Sequence, residues 1–291
     1  MKKRKKPSIF NILNILFMIL FSFLTLYPLY YVLVGSFNEG LDYLAGGVYF
    51  WPRKFVLDNY QIILTDVRLW NAYLVTILRT IVGTITALVF TSMVAYAMSR
   101  RELKCRRMFY WVNIFTMFFS GGLIPLFLII NLLGLFNSFL VYIIPCLYSV
   151  YNMIILQSFF KSIHNGLHEA AVVDGAGEFR IFWQIYMPLS KPVLATVSLW
   201  IAVGHWNSFF DSMVFTSSDR LNTLQLFLYK IINQANISTN GIQLPTEVLE
   251  RISPQTVTYA AILVSTLPVL CIYPFLQKYF ETGLSIGSLK E

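Results

Sequence analysis

The residues of this chain that could do chemistry are few and far apart. His164 and His168 stand four residues apart beside Glu169, which puts both imidazoles on one face of a helix. The order is not His-Glu-x-x-His, and no third ligand accompanies the pair, so a metal site is not expected. Cys105, Cys146 and Cys271 are scattered through a basic loop and two apolar runs, with neither metal spacing nor a disulfide framework. The single Gly-x4-Gly, Gly35 to Gly40, continues as Leu41-Asp42, where a phosphate-binding loop needs Lys followed by Ser or Thr. Asp211 closes an aromatic motif, WNSFFD, and has no obvious partner acid. With no nucleophile beside a base and no paired acids, catalytic chemistry is disfavoured. Polar residues inside apolar stretches remain: Asn152, Gln157, His205, Asn207 and Asp211. In lipid such groups are costly and often functional, although helix–helix hydrogen bonding accounts for many of them. Arg79, about two turns into an apolar run, reads as snorkelling to an interface.

The elements that carry these residues are membrane spans. Hydrophobic residues make up 57% of the 291 and charged residues 12%, and the mean hydropathy is +0.64, too few charges to cover a soluble surface. The net charge of +8 clusters at the ends of apolar runs, a topology signal rather than a nucleic-acid-binding face. A bilayer core takes about 20 apolar residues per helix. Six stretches qualify, at 11–34, 72–98, 108–133, 139–160, 193–215 and 259–279. Only helices satisfy their own backbone at that length, so the expected fold is all-α, one polytopic domain of six transmembrane helices. The start, MKKRKK, also suits a signal peptide, but the apolar run after it is too long for one and reads as an uncleaved helix.

Lys and Arg set the expected orientation. Lys2, Lys3, Arg4, Lys5 and Lys6 precede the first span, and Arg100, Arg101, Lys104, Arg106 and Arg107 follow the second. Both segments should face the cytoplasm, which puts 1–10, 161–192 and 280–291 inside and 35–71, 134–138 and 216–258 outside. The first long external loop holds a Gly46-Gly47 turn, interfacial aromatics ahead of Pro52 and a short helix near Asp58. The second holds an amphipathic stretch around Leu221 to Ile232, suited to a cap or to docking an external partner.

The cytoplasmic segment is the chain's long charged island. Asn165 can cap a short helix with Leu167, Ala170 and Ala171 on one face. Asp174-Gly175 then breaks it, Gly175 supplying the positive φ of a tight reversal. A second helix from about Glu178 places Phe179, Phe182, Trp183 and Tyr186 along one side, with Ile181 and Ile185 widening the band, before Pro188 and Pro192. Its mixed charges, Arg180 and Lys191 with Glu169, Asp174 and Glu178, suit a surface that docks a soluble partner better than one lying on lipid.

The run EAAVVDGAGEFRIFWQIYMPLSKP resembles the EAA loop of type I ABC importer permeases. With FWP…LDNY, SGGLIP at 120–125, WNSFFD at 206–211 and the tail QKYFETGLSIGSLKE, the resemblance extends to the carbohydrate-uptake branch, which includes the smaller maltose permease subunit. It is nearest the subgroup that handles complex oligosaccharides. The resemblance implies the type I importer transmembrane fold in the bacterial cytoplasmic membrane. The implied partners are a second homologous permease, two cytoplasmic ATPase subunits that bind ATP and Mg, and an external solute-binding protein. No nucleic acid and no cofactor in this chain are implied. Glu169, Ala170, Ala171, Asp174 and Gly175 would form the ATPase-coupling contact, with Glu169 facing a basic residue and Gly175 forming the turn. Tyr151, Asn152, Trp206, Asn207, Phe209, Phe210 and Asp211 are the candidates for the path of a sugar or oligosaccharide, aromatic faces stacking on sugar rings. A permease for another solute, or a polytopic membrane enzyme, is the alternative.

Overall fold

The computed structural model describes residues 9–237 and 253–288. The basic run Lys2 to Lys6, the polar tract 238–252 and the last residues of the tail lie outside that set. Apart from one antiparallel bridge, Asn38 with Phe55, the described residues form helices and connecting turns, with no strand among them. The chain divides into two compact units.

The first unit joins the end of α1 (Ile9–Ser36), the following loop and the start of the last long helix, Pro254–Ser288. Most of α1 is exposed apolar surface, and only Val34, Gly35 and Ser36 are buried. In the loop, α2 (Gly40–Leu44) and α3 (Asp58–Thr65) surround buried Asn59, whose amide donates to the carbonyls of Ser36 and Asn38 and whose oxygen accepts from Thr256 at 2.9 Å. Gly35 has a packing role: a Cβ there would sit 2.6 Å from the Tyr259 ring. The glycines at 46 and 47 both adopt positive φ, as a Gly-Gly turn requires.

In the second unit α4 (Val67–Ser99) is the axis. Its buried residues, Leu69, Ala72, Thr76, Arg79, Gly83, Ala87, Thr91, Ala95 and Met98, recur every three or four positions and are mostly small. Neighbouring helices can therefore approach that face closely. Leu74, Ile77, Leu78, Ile81 and Ile85 are exposed apolar residues on the same helix.

Two of the apolar stretches read from sequence as continuous runs are bent, and a third is interrupted. Between α5 (Arg106–Phe118) and α6 (Leu123–Leu132) the axis turns by 114°. Ser120-Gly121-Gly122 lies at that corner, and Gly122 has φ +86°, a conformation that strains any residue with a Cβ. Two short 3-10 turns, Phe139–Tyr142 and Ile144–Cys146, meet α7 (Val150–Ser162) at 49°, and Ser149 caps α7 by accepting from the Asn152 amide. The stretch expected at 193–215 comprises α11 (Lys191–Asn207), a break at Ser208 and α12 (Phe210–Phe215). Three unbroken helices are long and apolar enough to cross a membrane, and six spans result if each bent pair counts as one. The amphipathic stretch near 221–232 forms α13 (Leu224–Ile237), and α14 (Pro254–Ser288) begins earlier than the apolar run it contains.

Candidate functional site

Two arrangements of polar residues stand out in the second unit, one near each end of α4. The first is built on residues 163–190. Helix α8 spans Asn165–Val173, and its cap is His164, whose ring nitrogen accepts from the Gly166 amide. Asn165, expected at the cap, is the first helical residue. At the other end the Gly175 amide donates to the Val172 carbonyl and the Ala176 amide to the Ala171 carbonyl, both at 2.9 Å. Together with φ +79° at Gly175, this is the Schellman closure, which needs a left-handed residue at that position. No atom lies within 4 Å of a Cβ built on Gly175, so backbone conformation alone demands the glycine.

Beyond the turn, α9 (Glu178–Ile181) widens into a π segment at Phe182–Tyr186, followed by α10 (Met187–Leu189). The wider turn shifts the register. The buried side is Ile181, Phe182 and Tyr186, while Phe179 is 66% exposed and Trp183 38% exposed. The expected aromatic stripe through 179, 182, 183 and 186 is therefore split between core and surface. Ser190 then marks an 86° bend into α11, with Pro192 in its first turn, where no amide partner is needed.

Side chains tie this segment to α4. Arg100, one residue past α4, donates to His168 Nδ1 at 2.9 Å, to the Tyr186 hydroxyl at 3.0 Å and to Asn165 Oδ1 at 3.4 Å. A guanidinium only donates, so Nδ1 accepts and the imidazole proton sits on Nε2, which donates to Glu178 Oε1 at 3.0 Å. Tyr96, four residues before Arg100, donates to the other Glu178 oxygen. Burial works against the charged form of Glu178. The hydrogen bonds from Tyr96 and His168 and the charge of Arg100 outweigh it and hold the carboxyl below the usual range. His168 thus bridges α4 and α9 as a structural residue. Tyr96, Phe160, Phe182 and Tyr186 pack ring against ring beneath the network, with centroids 4.7 to 6.5 Å apart.

Glu169, Ala170, Asp174 and Gly175 all lie on the exposed surface of this segment. Ala171 differs: it is half-buried and packs into the core beneath α8. Leu167, Val172, Val173 and Phe179 are also exposed, Val173 by 86%, so an apolar patch adjoins the acids.

The second arrangement overturns one expectation. Arg79 does not reach an interface. Its side chain is 1% exposed, and its guanidinium donates to both oxygens of Asp211, at 3.2 and 2.5 Å. Asp211 also accepts from Ser208 Oγ at 2.7 Å and from the Ser212 amide at 2.9 Å. The Tyr142 ring lies 4.5 Å beneath the Arg79 Cζ, and its hydroxyl donates to the Leu221 carbonyl at 2.6 Å. Arg79 Nε and Trp206 Nε1 are buried without a partner among the described residues. One turn beyond Arg79, the His205 ring rests on Gly83, where a Cβ would meet it at 2.5 Å.

The other candidates divide. Trp206 is buried and Asn207 exposed; Phe209 stacks on Tyr229 with centroids 5.0 Å apart, and Phe210 is exposed. Tyr151 is exposed and leans on Trp200, away from this group, while Asn152 is buried on α7. Gln157 donates to the Met98 carbonyl at 2.6 Å, an ordinary interhelical bond. Sequence reasoning missed Tyr96, Arg100, Tyr142 and the pairing of Arg79. The usable signal was one buried charge of each sign in otherwise apolar runs.

A helical chain with long apolar faces exposed and an Arg79–Asp211 ion pair set within its apolar helices is a polytopic membrane protein. Residues 1–286 match the family described as binding-protein-dependent transport system inner membrane component, and the chain belongs to it. It is 35% identical over 291 residues to Protein LplC of Bacillus subtilis (strain 168), covering 100% of this chain and 98% of that protein. It is 34% identical over 288 residues to the polygalacturonan/rhamnogalacturonan transport system permease protein YtcP of the same organism, covering 98% and 99%. In fold it resembles a chain of the crystal structure of a bacterial ABC transporter involved in the import of the acidic polysaccharide alginate, with TM-score 0.88, 34% identity and coverage of 95% of this chain and 100% of that one.

Proposed function

We propose that this chain is the permease subunit of an ATP-driven importer of a sugar or oligosaccharide, with ATP hydrolysed by a separate subunit docked on residues 163–190. The observation that carries the reading is the exposed face of α8 and its glycine turn, with Glu169, Ala170, Val173 and Phe179 free and the other side clamped to α4. A docking surface must be accessible, and a lever must be rigidly attached to what it moves. Both conditions are met on opposite sides of one short helix. The substrate class is supported by the relatives, two of which carry polysaccharide transport in their descriptions.

In this reading the amino terminus, the loop after α4, residues 161–192 and the tail face the cytoplasm, as positive-inside asymmetry requires. The 35–71 and 216–258 loops face outward toward a solute-binding protein. A second homologous permease completes the path, and two ATPase subunits sit beneath. Closing of the nucleotide-bound ATPases displaces α8, and the Arg100–His168–Glu178–Tyr96 network passes that displacement to the end of α4. The spans then exchange inward-open for outward-open, a two-state element biased by nucleotide. Ala171, packed into the core beneath α8, supports this face rather than touching the partner, and exposed Asp174 borders it at the turn.

Reconstituted importer carrying Glu169→Lys or Gly175→Leu tests this. ATP hydrolysis should continue while ligand-dependent transport stops, with the permease still in the membrane. Transport at wild-type rates in both variants would sink the assignment. Uptake assays comparing neutral and acidic oligosaccharides with a peptide separate the solute classes.

A further inference from the structure

Basic side chains crowd the place where α4 ends, α5 begins and α7 ends. Arg100 is committed to His168 and Tyr186. Four other cations, Arg101, Arg106, Arg107 and Lys161, line one cavity of about 680 Å³. A neighbouring cavity of about 590 Å³ shares three of them, Arg101, Arg106 and Lys161. Neither lining contains a carboxylate. The nearby acid, Glu102, reaches Arg100 at 3.4 Å and is 67% exposed. Arg101, Arg107 and Lys161 have no acidic partner among the described residues. Like charges gathered around a cavity without a counter-charge repel one another, and an anion placed among them relieves that repulsion.

The cavity also has an apolar wall. Tyr110 stands one turn beyond Arg106 on α5, and Ile154 nearly two turns before Lys161 on α7. Beyond Tyr110 the surface of α5 continues with exposed Trp111, Phe115 and Phe118. A free anion needs only the basic mouth. A molecule with a charged head and a hydrocarbon tail uses the mouth and the wall together, and basic pockets between helices at the cytoplasmic face suit phospholipid headgroups.

We propose that this cavity binds the phosphate of an anionic phospholipid from the cytoplasmic leaflet, the headgroup among Arg101, Arg106, Arg107 and Lys161 and the chain along α5. The inference rests on the cytoplasmic placement given above. His164, Asn165 and Tyr186 line the neighbouring cavity, which shares Arg101, Arg106 and Lys161 with this one, so a headgroup among those three lies beside the segment proposed to dock the ATPase. The lipid then supports coupling by fixing the α5 and α7 ends on which that segment rests.

The test uses the complete importer in nanodiscs of phosphatidylglycerol or phosphatidylcholine. Wild type should retain phosphatidylglycerol in native mass spectra and hydrolyse ATP faster in the anionic discs. Arg101→Gln/Arg107→Gln/Lys161→Gln should weaken retention on the order of a hundredfold and abolish the lipid stimulation, with activity in phosphatidylcholine unchanged. Should the triple variant fail to assemble, Lys161→Gln alone should weaken retention about fivefold, and Arg101→Lys/Arg107→Lys should bind as wild type. Equal retention by wild type and the glutamine variants overturns the proposal. Displacement of the lipid by inorganic phosphate overturns it in favour of a free anion. Loss of the ATPase subunit with lipid retained overturns it in favour of an acidic surface on that subunit. Exposed Cys105, in the same loop, checks the placement separately: labelling by an impermeant maleimide from outside the cell refutes the orientation, whatever the lipid result.

Discussion

The two polar networks on α4 are opposites in construction. Buried Arg79 pairs with half-buried Asp211, whose other contacts come from the Ser208 hydroxyl and the Ser212 amide. Arg100, His168, Glu178 and Tyr96 form a chain of single hydrogen bonds, and the Glu178 side chain is 61% exposed. Arg79 and Tyr96 are separated by roughly 25 Å along the helix at 1.5 Å per residue, close to the thickness of a bilayer core. A buried pair cannot part without stranding a charge in an apolar surrounding. A chain of single hydrogen bonds that meets at a carboxylate open to solvent can exchange with water at that carboxylate. One end of α4 is fixed to the 208–223 segment, and the other is linked to the segment proposed to move with the ATPase.

The sharpest way to break this contrast is Asp211→Leu, which leaves Arg79 buried and unpaired. We expect a loss of about 3–5 kcal/mol, read as a fall in thermal stability and membrane abundance. Arg79→Leu/Asp211→Leu should recover most of it. A stable, abundant Asp211→Leu protein would mean that the pair does not hold the helices. Next in size is Gly83→Ala, whose methyl meets the His205 ring at 2.5 Å. Overpacking of this kind costs about 1–3 kcal/mol, and His205→Ala in the same chain should relieve it. Unfolding of the detergent-purified protein measures both.

At the other end the effect on stability should be small and the effect on coupling large. Glu178→Gln and Tyr96→Phe each disturb a single hydrogen bond, worth about 1 kcal/mol, made to a carboxylate that is itself mostly open to solvent. The ratio of transport to ATP hydrolysis in proteoliposomes should nonetheless drop. If the ratio is unchanged, the network does not carry motion. The smallest effect is that of pH. Because Glu178 is held below its usual range, its contribution is complete above the ordinary carboxylate pKa and fades only as pH falls through the lower folded value. Coupling should therefore be flat through neutrality and decline in acid, and Glu178→Gln should erase that decline.

Sequence made some of this legible and not the rest, for reasons that differ residue by residue. Gly175 could be placed at a turn because a left-handed residue is a local demand of one backbone position. The apolar runs could be picked out because bilayer thickness sets the length to look for. The bends could not be measured, although SGGLIP at one of them was visible as a motif, because an angle depends on what packs around it. The π segment at Phe182–Tyr186 inserts extra backbone into a turn, so periodicity of 3.6 misplaced Phe179 and Trp183. Ala171 was set beside Ala170 on a contact face, yet the core beneath α8 takes it. The Arg79–Asp211 pair spans 132 residues, and no local rule joins residues so distant.

That separation has a consequence for how the chain is made. Helix α4 enters the membrane carrying an arginine whose counter-ion has not yet been synthesised. At roughly 5–20 residues per second, Asp211 follows on the order of ten seconds later. Until then the helix carries an unpaired charge, which is costly in lipid and which its leucines, isoleucines and valines must offset. A chain truncated before residue 211 should remain dependent on insertion machinery or be degraded. Asp211, nearly three-quarters of the way along the chain, is therefore the point in synthesis at which Arg79 first has its counter-ion available.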